Sequence, residues 1–346
     1  MSDDDLLLPD SSLPFGSGVI GVCDICGKRQ AVIILQKERY KLCVLDFLNK
    51  TWVGSKVVPG RPLPPYRSER IWFETDASPA GRATAILLTP TKATKHPGIL
   101  LTPDIFGLTT MLLDAGVRFA REGFEVLLPD LTRIDGISAT EFVSLRADVL
   151  FRGGVRVESP GVRKLVGLYL DALKFLRSRP MVDPAKTGIF GASYGGSLAL
   201  AVAGEDQSLS AVGVAFPMPL QPAGFLRLVS APTLLVSGES DPQAARSRRQ
   251  FGEAKAPQGP ALTVQSYPGV GHLFLARDST TYDVSSAEAA WQRFIEFFRA
   301  QFLPPAPKPP APPVARPAPP PTAPLPPSAT PPVASSAPSV PSPAPS

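Results

Sequence analysis

Between residues 66 and 302 the chain alternates short apolar runs with longer segments whose apolar residues recur every three or four positions. The short runs predict strands over 70–75, 82–88, 98–101, 124–128, 187–190, 210–216, 233–237 and 262–267. The longer segments predict helices over 108–121, 165–176, 194–204 and 288–302. In the first of these helices Met111, Leu112, Ala115 and Phe119 share one side, and Gly123 marks its end. Near-continuous apolar strands interleaved with helices imply an α/β class, with a mostly parallel sheet covered on both faces. Residues 132–162 have no clear period and are expected to cap a pocket.

The flanks read differently. Residues 303–346 are almost wholly Pro, Ala and Ser, with too few large apolar side chains to offset the entropy of ordering. This stretch predicts a disordered tail that samples extended conformations, as a spacer or as a ligand for a proline-binding module. Residues 1–18 predict a flexible start, and residues 19–65 hold all three cysteines and end in the proline-rich stretch 59–65. Only 19% of residues are charged, below the usual quarter, and the uncharged tail accounts for part of the shortfall. The net charge of +5 is too mild to imply nucleic-acid recognition. The start is acidic and only briefly apolar, unlike a secretory signal, and no run reaches the length of a membrane span. A cytoplasmic location is therefore the expectation. An odd number of cysteines in such a compartment points to metal ligands or free thiols.

The strongest chemical signal is Gly191-Ala192-Ser193-Tyr194-Gly195-Gly196, a Gly-x-Ser-x-Gly turn placed where a predicted strand passes into a predicted helix. The turn is tight enough that side chains at the glycine positions would collide with backbone. It would expose the Ser193 hydroxyl above the sheet, beside helix N–H groups able to receive an oxyanion. A serine hydroxyl needs a base. Of the two histidines, His272 sits in a loop directly after the last predicted strand. His96, between Lys95 and Pro97, is expected at the surface. The third member should follow a strand between Ser193 and His272. Asp241, in Gly238-Glu239-Ser240-Asp241-Pro242, fits that place, with Glu239 as its rival in the same loop. Its role would be to hold the histidine tautomer and stabilise the imidazolium.

At this point the chain resembles the dienelactone hydrolase family of the α/β-hydrolase fold. The likeness rests on Leu101-Thr102-Pro103-Asp104-Ile105-Phe106-Gly107-Leu108, on the strand ending Pro129-Asp130-Leu131, on the double-glycine elbow, and on Tyr267-Pro268-Gly269-Val270-Gly271-His272-Leu273-Phe274. It covers roughly residues 66–302. The resemblance implies hydrolysis of a carboxylic ester or lactone without an organic cofactor. It implies an oxyanion hole built from the N–H groups of Ile105 and Tyr194, with Asp104 near the nucleophile. The founding enzymes carry cysteine where this chain has Ser193, and bind a substrate carboxylate with arginines. Arg133 and Arg277 lie near those places, with spacing that does not match cleanly. A thioesterase, acyltransferase or peptidase would use the same triad with a different pocket. A non-catalytic interaction protein, recruiting partners through its flanks, is the reading from another class.

Cys23-Asp24-Ile25-Cys26 is a Cys-x2-Cys knuckle, and Cys43-Val44-Leu45-Asp46 is a second one with its last cysteine replaced. Cys23, Cys26, Cys43 and Asp46 form a zinc-ribbon-like set, and aspartate oxygen is a less common ligand at structural zinc sites. The intervening segment reads as a strand pair that would bring the knuckles together. A metal here would be structural.

Overall fold

The computed structural model describes residues 65–92, 94–104, 107–130, 154–254 and 262–302, with a few short strand pieces in the first 57 residues. Among those pieces Ile33–Leu35 pairs antiparallel with Tyr40–Leu42, within the strand pair expected between the knuckles. Cys23, Cys26, Cys43, Asp46 and the proline-rich tail lie outside the described residues, as does 131–153, most of the expected cap.

Eight strands form one sheet. They are β1 (Tyr66–Glu74), β2 (Arg82–Pro90), β3 (His96–Thr102), β4 (Glu125–Pro129), β5 (Val182–Ala192), β6 (Ala211–Ala215), β7 (Thr233–Gly238) and β8 (Leu262–Tyr267). Their spatial order is β8-β7-β6-β5-β3-β4-β2-β1. From β4 through β3 to β8 all pairs are parallel, while β1 and β2 form an antiparallel hairpin joined antiparallel to β4. Strands β3, β4, β6 and β7 are buried along their whole length, as expected of parallel strands covered on both faces. The edge strand β1 is mostly exposed instead, with Tyr66 and Phe73 buried near its two ends and Trp72 exposed.

Among the described residues five helices cover the sheet: α1 (Thr110–Arg121), α2 (Pro160–Ser178), α3 (Ser193–Glu205), α4 (Pro242–Ala254) and α5 (Val284–Phe302). Thr109 caps α1 by accepting from the Leu112 N–H at 3.3 Å, and the chain leaves that helix through Gly123 at φ +90. The apolar faces of α1 and α5 share one core with Ile86, Ile99, Val126 and Phe190. Phe119 lies at its centre, in edge contact with Phe190, Trp291 and Phe298. Each such pair adds roughly 0.5–1.5 kcal/mol beyond the area it buries. Helices α2 and α3 pack the opposite face with Leu100, Leu127, Ile189 and Val212.

Two expectations change. Helix α4 has no counterpart in the apolar pattern, because it buries only Ala244, Ser247 and Phe251 and is otherwise polar. His96 is not at the surface. It opens β3, is 6% exposed, and its Nε2 lies 2.9 Å from the fully buried Glu125 carboxylate. Arg179 donates to the other Glu125 oxygen at 2.9 Å. A buried charge needs such partners, and Lys95 and Pro97 gave no hint of them. No helix among the described residues is long and apolar enough to cross a membrane.

Candidate active site

Strand β5 ends at Ala192 and helix α3 begins at Ser193, so the reversal occupies a single residue. Ser193 takes φ +52, one of three non-glycine residues with positive φ among those described. Holding it there costs roughly 1–3 kcal/mol, which the surrounding packing must supply. The crowding shows at the glycines. A Cβ on Gly191 would lie 2.2 Å from Thr102 Oγ1 and 2.4 Å from Gly195 O, and a Cβ on Gly195 would lie 2.3 Å from Thr102 O. The end of β3 therefore presses directly on the first turn of α3. Thr102, fully buried, places its hydroxyl 2.7 Å from Gly195 O and 3.1 Å from Phe190 O, tying β3 to both sides of the elbow. Ser197 donates to Met218 O at 2.8 Å from one turn further along α3.

The structure brings the three expected side chains together. Ser193 Oγ lies 3.1 Å from His272 Nε2, and His272 Nδ1 lies 2.7 Å from Asp241 Oδ2. Asp241 is 1% exposed, whereas its rival Glu239 points outward. The other Asp241 oxygen accepts from the Gln243 N–H at 2.9 Å, so the residue caps α4 with one oxygen and meets the imidazole with the other. Burial by itself raises the Asp241 carboxyl's pKa. The hydrogen bond and charge of His272, with N–H groups of Ala244 and Gln243, outweigh it and hold the carboxyl below its ordinary range. Two carboxyl oxygens facing N–H donors leave His272 Nε2 as the nitrogen that can accept the serine proton.

His272 is carried on a loop pinned at several points. Ser240 N–H donates to Val270 O at 3.1 Å, linking the acid loop to the histidine loop. Thr281 Oγ1 donates to the His272 carbonyl, and Leu273 follows at φ +62. Arg248 of α4 donates to Ser237 Oγ and Gly238 O, both at 2.9 Å, and braces the end of β7 that leads to Asp241. Phe216 sets its ring 5.0 Å from the imidazole at an interplanar angle of 62°. Thr102, Phe216, Arg248 and Thr281 were not anticipated. The available hint for Thr102 was a polar residue closing an otherwise apolar strand.

Asp104 lies two residues beyond the end of β3, is 8% exposed, and bridges antiparallel to Gly107, whose N–H donates to Asp104 O at 2.8 Å. It lies close to Tyr169, whose hydroxyl is fully buried. Burial above all, then the neighbouring Tyr194 and Asp104, pushes that hydroxyl's pKa well up. Tyr194 follows the serine in the first turn of α3, where no side chain caps the helix. Arg277 reaches Glu288 Oε1 at 3.7 Å, and Arg118 already grips that carboxylate through Nη1 and Nη2 at 2.8 and 2.6 Å. Ile105 and Arg133 lie outside the described residues.

Sheet order, the position of the elbow at the carboxyl end of β5, and the helices on both faces define an α/β-hydrolase fold. The sequence signature of the Dienelactone hydrolase family matches residues 83–302, and the chain belongs to that family. Membership makes it a hydrolase of the ester- and lactone-cleaving kind. The carboxymethylenebutenolidase of a Pseudomonas sp. is 28% identical over 232 residues, spanning 65% of this chain and 92% of that one. Among solved structures, a dienelactone hydrolase from Anabaena variabilis superposes with a TM-score of 0.52 at 21% identity, covering 69% of this chain and 99% of that one. A dienelactone hydrolase-like promiscuous phosphotriesterase from metagenomic libraries gives 0.54 at 19%, with the same shares. At such identities these two structures speak to the fold alone.

Proposed function

We propose that the protein hydrolyses a carboxylic ester or lactone through an acyl-enzyme formed on Ser193. The observation that carries this reading is the unbroken run from Ser193 Oγ through His272 to Asp241, with the serine held at φ +52 above the sheet. Ser193 Oγ attacks the carbonyl carbon while its proton passes to His272 Nε2. Asp241 accepts from Nδ1–H, fixes the tautomer, and stabilises the imidazolium without taking the proton. The Tyr194 N–H, and that of Ile105 in this reading, receive the oxyanion. As the tetrahedral intermediate collapses, Nε2–H protonates the leaving oxygen. His272 then takes a proton from water, whose oxygen attacks the acyl carbon, and returns that proton to Ser193 Oγ. The relatives' names are in keeping with a lactone or ester carbonyl as the target. In the same reading Cys23, Cys26, Cys43 and Asp46 hold a structural zinc apart from catalysis. Its support is the knuckle spacing, and metal analysis of the purified full chain, with about one zinc per chain expected, tests it.

Labelling with a fluorophosphonate probe followed by peptide mapping tests the catalytic reading. The expected result is modification at Ser193 in the wild type and none in Ser193→Ala. Folded wild-type protein that resists the probe while another serine hydrolase in the same tube reacts would overturn it.

A further inference from the structure

Strand β6 keeps the two-residue period of a strand up to its last residue. Ala211 and Ala215 pack in the α1/α5 core, while Val212 and Val214 pack in the α2/α3 core. By that alternation residue 216 belongs with Val212 and Val214. Phe216 lies instead beside Ala215, in the α1/α5 core. The backbone is the reason: Phe216 takes φ +36, and this turns its side chain across the sheet. Its N–H still donates to Val236 O at 2.6 Å, so the chain stays in register with β7 while the ring changes sides. A bulky, fully buried residue at positive φ is an outlier that persists only where its surroundings over-determine it, and such outliers gather at functional sites.

The turned ring meets the imidazole. The Phe216 and His272 centroids are 5.0 Å apart at 62°, and Phe274 backs the phenyl ring at 6.0 Å and 63°. Resting on the catalytic reading above, we infer that Phe216 is a positioning residue that holds His272 in line through the acyl-enzyme stage. Before reaction the imidazole is anchored at both ends, by Asp241 at Nδ1 and by Ser193 at Nε2. Once Oγ carries the acyl group it has no proton to donate, and the Nε2 anchor is gone. The ring is then tied only through Nδ1, on a side chain that is 30% exposed, yet Nε2 must face the incoming water. Contact with the Phe216 ring supplies the missing restraint. Misplacing a catalytic group by about 1 Å can cost on the order of 100-fold, so deacylation is the step that feels its loss.

The test follows p-nitrophenyl acetate hydrolysis by stopped flow in wild type, Phe216→Leu and Phe216→Tyr, with thermal midpoints as the check on folding. In Phe216→Leu the expected deacylation rate falls about 10- to 100-fold, acylation falls less, and the initial burst of nitrophenol becomes larger relative to turnover. Phe216→Tyr, which keeps the ring, recovers most of the rate. A folded Phe216→Leu with wild-type deacylation overturns the inference. Should that variant not fold, Phe216→Met keeps most of the volume but not the flat ring. Its deacylation must then fall in the same way, and a folded Phe216→Met with wild-type deacylation overturns the inference. A wild type with no Ser193-dependent hydrolysis instead removes the catalytic reading beneath it.

Discussion

The two histidines lie at opposite ends of the parallel strands, and each faces a carboxylate at nearly the same distance. His272 meets Asp241 at 2.7 Å beyond the carboxyl end of β7, and His96 meets Glu125 at 2.9 Å where β3 and β4 begin. What separates them is the second ring nitrogen. For His272 it faces the Ser193 hydroxyl, which can give up a proton. For His96 it faces the carbonyl oxygen of Thr94 at 2.9 Å, which has no proton to give. Their surroundings differ in the same sense. His96 is enclosed, with Arg179 completing the Glu125 pairing, whereas His272 is partly open to water. A histidine–carboxylate pair alone therefore says little about catalysis. The partner of the other nitrogen, and access to it, decide the role.

The sharpest way to break this contrast is at the nucleophile. Ser193→Ala and His272→Ala should each lower kcat/KM on a simple ester by at least about 10⁴-fold, with thermal midpoints close to wild type. Asp241→Asn should cost about 10³- to 10⁴-fold, because the amide disturbs the tautomer that leaves Nε2 free to accept. The same variant sharpens the electrostatics. The Asp241 carboxyl titrates below its unfolded range, so its stabilising contribution is present above about pH 4 and is lost as pH falls through the folded value. The stability difference between wild type and Asp241→Asn, measured by urea denaturation, should shrink as pH is lowered from about 5 towards 2.

At the other end of the sheet the effect should fall on stability. His96→Ala leaves the buried Glu125 without one of its two hydrogen-bonding side-chain partners and should cost about 3 kcal/mol, with kcat of the folded enzyme within about twofold of wild type. A large loss of kcat with unchanged stability would undo the contrast. The smallest effect is expected at Arg277. Its guanidinium faces Glu288, so Arg277→Ala should lower hydrolysis of anionic and neutral esters equally, and by less than about threefold. A loss confined to anionic esters would instead assign it to a substrate carboxylate.

The difference between these regions also explains what the sequence made legible. The parallel strands, the elbow and the histidine loop are local patterns: apolar runs, glycines at fixed offsets, a histidine after the last strand. Ser193, His272 and Asp241 could be placed from such patterns and from chain order. Asp241 is preferred to Glu239 in the sequence by its place farther out on the loop, before Pro242, whereas its cap from the Gln243 N–H and its burial show only in three dimensions. His96 was misplaced because its partners, Glu125 and Arg179, come from a neighbouring strand and from the end of α2, far along the chain. Helix α4 was missed because three buried residues in a polar segment leave too narrow a stripe to register as a period. Phe216 looked like one more apolar strand residue. Its change of side depends on a backbone angle that no residue pattern encodes.

The most direct test of the central claim is to trap the intermediate. Wild-type enzyme mixed rapidly with p-nitrophenyl acetate, acid-quenched and mapped by mass spectrometry should carry one acetyl group, on the peptide containing Ser193, at times when turnover is under way. His96→Ala should show the same adduct, and Ser193→Ala none. Turnover without acyl transfer to Ser193, or an adduct on another residue, would contradict the account.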